Sequence, residues 1–103
     1  MKELQSKEEL DGYMKGKTIL MFSADWCPDC RVIEPVLPEI EQKYNQFTFV
    51  YVDRDQFIDI CQANDVFGIP SFLAFENGVE IGRFVSKDRK TKEEIELFID
   101  ELS

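Results

Sequence analysis

A chain of 103 residues has room for one domain, and at 44% hydrophobic and 13% aromatic content it can build a core without disulfide staples. Its 21 Asp and Glu against 12 Lys and Arg give a formal charge of −9, which argues against nucleic acid or an anionic membrane surface as partner and is read most simply as solubility. Histidine is absent, which excludes histidine acid–base catalysis, Cys-His nucleophile pairs and Cys/His zinc sites within one chain.

The elements read as follows in chain order. A short strand at about Lys2–Gln5 precedes Ser6-Lys7-Glu8-Glu9, a capping-box pattern that opens a helix through about Met14, with Gly16 ending it. The apolar run Thr18–Phe22 reads as a strand. Val32, Ile33, Val36, Leu37 and Ile40 then recur at helical spacing to about Tyr44, but Pro35 and Pro38 lie inside the helix and predict a kink near Arg31–Glu34. Phe47–Val52 is almost continuously apolar, as in a central parallel strand. Gln56–Asn64 is a short helix carrying Cys61, and Ser71–Phe75 and Val79–Val85 flank Glu76-Asn77-Gly78, a hairpin signal. Thr91-Lys92-Glu93-Glu94 caps a final helix whose apolar face is Ile95, Phe98, Ile99 and Leu102. This order places helices on both faces of a small mixed sheet, an α/β architecture. Phe47, Phe49, Phe57, Phe72, Phe75 and Phe98 are assigned to the core. No N-terminal apolar h-region and no 18-residue apolar run is present, so neither a signal peptide nor a membrane span is expected.

The chemistry concentrates in Trp26-Cys27-Pro28-Asp29-Cys30, between the first long strand and a helix start. Two cysteines three apart can close into a small disulfide and reopen. Cys27 falls at the N-cap and Pro28 at the first helical position, where its missing N–H costs nothing. The N–H groups of the first turn and the positive end of the helix favour a thiolate on Cys27, so its pKa should fall below the free value of about 8.5. That position makes Cys27 the expected nucleophile and Cys30, inside the first turn, the resolving thiol. Zinc, which takes about four ligands, is the minor alternative, because one chain offers only Cys27, Cys30, distant Cys61 and carboxylates. Trp26 reads as cover for the pair, and Cys61 as a small buried residue. Asp29 has two readings: a favourable first-turn carboxylate, or a group that opposes the Cys27 thiolate and accepts the Cys30 proton. Arg31 is either solvated or offsets Asp29.

Four anchors in order resemble the thioredoxin family over essentially the whole chain: Phe22-Ser23-Ala24-Asp25-Trp26-Cys27-x-x-Cys30, Pro35 five residues after the second cysteine, Gly68-Ile69-Pro70-Ser71 before a strand, and the Asn77-Gly78 hairpin. The resemblance implies a thioredoxin fold, a mixed five-stranded sheet flanked by four helices, spanning residues 1–103 as one domain. It implies a cis peptide before Pro70, facing the cysteines, with Ile69, Pro70 and Ser71 presenting backbone to a docked substrate strand and Trp26 and Ser86 flanking it. It further implies a monomeric disulfide reductase that acts on disulfide-containing proteins or small disulfides. No cofactor is bound, and electrons come from NADPH through a thioredoxin reductase in the cytoplasm. A thioredoxin-fold redox-sensing or binding module with little reductase turnover is the alternative.

The chain departs from the family pattern in four places. Pro28-Asp29 replaces the usual Gly-Pro. Met21 stands where the family has a buried aspartate that takes the proton of the second cysteine, and Tyr51 where it has the lysine facing that aspartate. Ser86 replaces a groove glycine, and Pro38 is an additional proline.

Overall fold

The computed structural model describes residues 1–102. Five strands, β1 (Lys2–Glu3), β2 (Lys17–Ser23), β3 (Thr48–Asp53), β4 (Ser71–Glu76) and β5 (Val79–Phe84), form one sheet in the order β1-β3-β2-β4-β5. β2 pairs parallel with β3 and antiparallel with β4, and β1–β3 is parallel while β4–β5 is antiparallel. The helices are α1 (Lys7–Tyr13), α2 (Pro28–Ile33), α3 (Leu37–Lys43), α4 (Ile58–Ala63) and α5 (Lys92–Asp100). A 3-10 turn, Glu34–Val36, joins α2 to α3 in one broken helix, so four helical bodies flank the five strands.

Period-two alternation in β2, with both faces covered, explains why Ile19–Phe22 is apolar without a break. Ile19 and Met21 face one layer with Ile33, Leu37, Ile40, Ile95 and Ile99, while Leu20 and Phe22 face the other with Phe57, Ile60 and Cys61. Both faces are covered, as for a central strand of a largely parallel core, and each fully buried large side chain contributes about 1.5–3 kcal/mol. Five of the six phenylalanines assigned to the core are buried; Phe98 is partly covered and packs against Phe84.

Three local expectations shift. The kink lies at Glu34–Val36, a little beyond Arg31–Glu34. The Glu34 N–H still reaches Cys30 O, so α2 stays regular through Ile33. Pro35 and Pro38 withhold the next donors, and the Leu37 N–H turns back to Glu34 O. The first strand ends at Glu3 instead of Gln5. That end frees the Gln5 N–H, which takes Glu9 Oε1 at 2.7 Å, so only the Ser6 half of the first capping box forms. The Thr91–Glu94 box is complete. At the hairpin, Asn77 and Gly78 both have positive φ, 51° and 83°, as a two-residue type I′ turn requires.

Tyr44, at the end of α3, donates to Asp100 Oδ1 at 2.7 Å and to Glu96 O at 3.2 Å, tying α3 to α5. Burial, first, and then the Asp100 carboxylate raise its hydroxyl pKa well above the ordinary value. A raised folded-state pKa means that this contribution is complete below the unfolded value near pH 10 and is lost as pH climbs through the folded one. Tyr44→Phe should therefore cost about 0.5–1.5 kcal/mol at neutral pH and flatten the alkaline fall of stability. Urea melts of both proteins at neutral and strongly alkaline pH check this; parallel alkaline losses would refute it.

Candidate active site

The carboxyl ends of parallel β2 and β3 lie side by side, and the loops that leave them build the site. The Arg54 N–H donates to Ser23 O at 2.8 Å and pins the two loops together. Asp53 Oδ1 accepts from the N–H groups of Asp55 and Gln56 at 2.8 and 3.2 Å, which turns the chain and fixes Asp55. Asp55 Oδ2 then accepts from Trp26 Nε1 at 2.6 Å, and the Arg54 guanidinium stands 5.9 Å from the Trp26 ring centroid. Trp26 is held on edge and face, yet remains 60% exposed.

After Trp26 the chain enters α2 through Cys27. The Cys27 N–H donates to Ala24 O at 3.2 Å, and Cys27 Sγ accepts from the Cys30 N–H at 3.2 Å. The sulfur is thus the N-cap, with Pro28 at the first helical position. Cys27 and Cys30 form a disulfide with Cα atoms 5.3 Å apart. Cys30 is fully buried and Cys27 is only 4% exposed, so the expected contrast between an open and a covered sulfur is small here. Ala24 and Ile69 pack around both.

Ile69 arrives from the other side of β2. Ser71 opens β4 opposite Phe22, which brings the Ile69-Pro70 peptide, a cis bond, to the carboxyl end of β2. A cleft of about 330 Å³ lies between these segments, lined by Trp26, Cys27, Pro28, Asp29, Arg54, Phe67, Gly68, Ile69 and Lys87. Ser71 does not face it; its hydroxyl donates to Gly68 O at 2.6 Å inside the protein. Ser86 lies behind Gly68, its Oγ accepting from Lys90 Nζ at 3.0 Å, and the neighbouring Lys87 forms the cleft wall expected of Ser86 from the family resemblance.

Asp29 is on the cleft, and Arg89 Nε donates to its Oδ1 at 2.9 Å. Arg31 is not the partner of Asp29. Its Nε donates to Asp25 O at 2.9 Å, and its Nη1 lies 3.7 Å from Glu34 Oε2. Met21 is fully buried, with Tyr51 and Phe72 as its cross-strand neighbours. No carboxylate is supplied from that position. Burial raises the Tyr51 hydroxyl pKa, and Asp25 and Asp53 add to the rise. Cys61 is buried on α4, away from the cleft, and burial pushes its thiol pKa up, which suits an inert core residue. Among the described residues no group of three or more Cys, Asp or Glu is placed to hold a metal ion.

Arg54, Asp55, Phe67, Lys87 and Arg89 escaped the sequence reading. Arg54 and Asp55 carried a usable signal, since they follow a parallel strand whose end must lie beside the Trp26 loop. Phe67 did too, being an aromatic just before the Gly-Ile-Pro anchor; it is 76% exposed at the cleft.

Comparison with known proteins agrees with the geometry. The thioredoxin family model matches residues 3–101. Human thioredoxin is 32% identical over 106 aligned residues, covering 99% of this chain and 98% of that one. Mitochondrial thioredoxin-2 of Schizosaccharomyces pombe is 36% identical over 74 residues, 72% of this chain but 56% of its own length. Thioredoxin-3 of Dictyostelium discoideum is 33% identical over 84% of both chains. A solved structure of Plasmodium falciparum thioredoxin superposes over the full length of both chains with a TM-score of 0.87 at 22% identity, a likeness of fold. A cysteine pair closed across a helix start can exchange with a second disulfide, and thiol–disulfide exchange is the chemistry of this site. By its sequence over nearly its whole length, and by the sheet that carries Cys27 and Cys30, the chain belongs to the thioredoxin family.

Proposed function

We propose that the protein reduces disulfides of proteins and small molecules through Cys27 and Cys30. The observation that carries this reading is the Cys27–Cys30 disulfide opening onto a cleft walled by Trp26, Phe67 and Ile69. In the reduced form the Cys27 thiolate attacks one substrate sulfur and the other leaves as a thiolate that takes a proton. Cys30 then attacks Cys27 Sγ, loses its proton, and releases the second substrate thiol. The products are two substrate thiols and the Cys27–Cys30 disulfide, a two-electron transfer. Ile69 and Pro70 are proposed as the substrate-docking segment, held from behind by Ser71, with Trp26 as one wall and Ser86 supporting the other from behind Gly68.

Asp29 is proposed to accept the Cys30 proton during resolution. Asp29 is partly open to solvent and its Oδ1 is already engaged by Arg89, so the help it gives should stay below the lower end of the usual range, about 10²-fold. The exchange itself uses no bound cofactor. Electrons are proposed to come from NADPH through a thioredoxin reductase, with the protein acting as a single-domain monomer in the reducing cytoplasm. No helix among the described residues is long and apolar enough to cross a membrane.

Insulin reduction followed by turbidity, with NADPH consumption recorded alongside, tests the proposal. Turnover with the reductase is expected. Turnover with dithiothreitol alone would replace the electron source, and no turnover with either would favour the sensing module.

A further inference from the structure

Residues 86–90 form a short strap beside the active site, and its anchor is unusual. Lys90 is 1% exposed. Its three ammonium protons have three acceptors: Ser86 O at 3.2 Å, Ser86 Oγ at 3.0 Å and Asp88 O at 3.0 Å. The Phe84 ring centroid lies 5.1 Å from Nζ. A charge buried with its donors used in this way fixes the backbone that carries the acceptors. At its front end the strap meets Gly68 so closely that a Cβ there would lie 2.5 Å from Ser86 C and from Lys87 N. At its far end Arg89, next to the anchor, reaches across 60 positions of sequence to Asp29.

The charge balance at Cys27 gives this arrangement its meaning. Asp29, Arg54 and Lys87 line the cleft with Cys27, and Arg54 is paired with Asp55 at 3.0 Å. Asp25 lines a separate pocket with Arg31 and Glu34. Asp29 is therefore the carboxylate that shares the cleft with the reacting sulfur, and unpaired it would work against a thiolate there.

We propose that Arg89 is a positioning residue for the thiol chemistry: held over Asp29 by the strap that Lys90 anchors, it cancels the opposition of that carboxylate to the Cys27 thiolate. The proposal rests on the reductase reading of Cys27. It makes the Pro28-Asp29 dipeptide and the strap one unit, in which the acidic residue is compatible with a reactive Cys27 because a cation arrives from the far end of the chain. An ion pair this exposed adds little to stability, so its effect belongs to the cleft.

The test is the pH profile of Cys27 alkylation by limiting iodoacetamide in the reduced full-length chain, with Cys27 adducts quantified by mass spectrometry. Arg89→Gln should raise the apparent pKa of Cys27 by roughly half a pH unit, which lowers the alkylation rate by up to about threefold at pH values below that pKa. The shift should shrink at high salt. In an Asp29→Asn background the same Arg89→Gln change should shift Cys27 by less than half as much, because the guanidinium has lost the partner that holds it. Lys90→Met should shift Cys27 in the same direction with Arg89 still present; should that variant fail to fold, the exposed Arg89 position decides alone. No shift, a fall, or equal shifts in both backgrounds would overturn the proposal. Alkylation needs neither reductase nor protein substrate, so a wild type inactive on insulin that still shows the Arg89 shift sinks only the reductase reading.

Discussion

Cys27→Ser should lower disulfide reduction by at least about 10³-fold. A serine hydroxyl is not a nucleophile near neutral pH without a base, and no histidine is available to serve as one. Cys30→Ser should fail differently. Cys27 keeps its place at the N-cap and can still attack, but the resolving sulfur is gone, so the chain should stall as a mixed disulfide. With a chromogenic aryl disulfide, reduced Cys30→Ser should release one equivalent of thiol and stop, and a non-reducing gel should show the adduct. Cys27→Ser should release almost nothing on the same timescale. Adduct building up on Cys30 in Cys27→Ser, at a rate matching the first burst of wild type, would reverse the roles.

Gly68→Ala should damage both stability and turnover although it leaves the cysteines alone. A methyl group at Gly68 would lie 2.5 Å from Ser86 C, 2.6 Å from Ser86 O and 2.5 Å from Lys87 N, all main-chain atoms. A flexible side chain could swing away, whereas the strap backbone is held by Lys90 and by Ser71 Oγ, which reaches both Gly68 O and Ser86 O. Relief must come from moving Gly68-Ile69 or the strap, and overpacking of that kind costs about 1–3 kcal/mol. Either movement reshapes the cleft that Gly68, Ile69 and Lys87 line, so kcat/KM should fall further than stability alone explains. Gly12→Ala, where a Cβ meets nothing within 4 Å, is the control. Equal melting midpoints for the two variants would show that the contact is relieved without cost.

What the sequence disclosed was local. Cys27 at an N-cap, Pro28 behind it, the Asn77-Gly78 turn and the Thr91 box are each settled by a few consecutive residues and their backbone preferences. The apolar run of β2 disclosed a central strand because both its faces had to be covered. Recognition of the family pattern supplied the cis Ile69-Pro70 peptide, which no propensity would have indicated. Hidden from the sequence were the pairings that exposed side chains make across the fold, Arg89 with Asp29 and Asp55 with Trp26, and the burial of Lys90 in the turn it closes. Charged residues in loops carry no periodicity, so nothing in the string marks Arg89 out from Arg31, the nearer candidate. Glu9 shows the same limit at short range. Its position satisfies the capping pattern, but a strand two residues shorter than expected left a better donor at Gln5.

The strap also divides the active-site rim into parts that can vary and parts that cannot. Asp29, Lys87 and Arg89 reach solvent, and exchanges at such positions usually move stability by only about ±0.5 kcal/mol. Gly68, Ser71 and Lys90 are fixed by contact or burial. A combinatorial library confined to positions 29, 87 and 89 would thus sample many charge patterns around an unchanged Cys27–Cys30 pair while most members still fold. For an engineer who wants a graded series of thiol reactivities on one scaffold, those three positions are the dial and Lys90 is the mount.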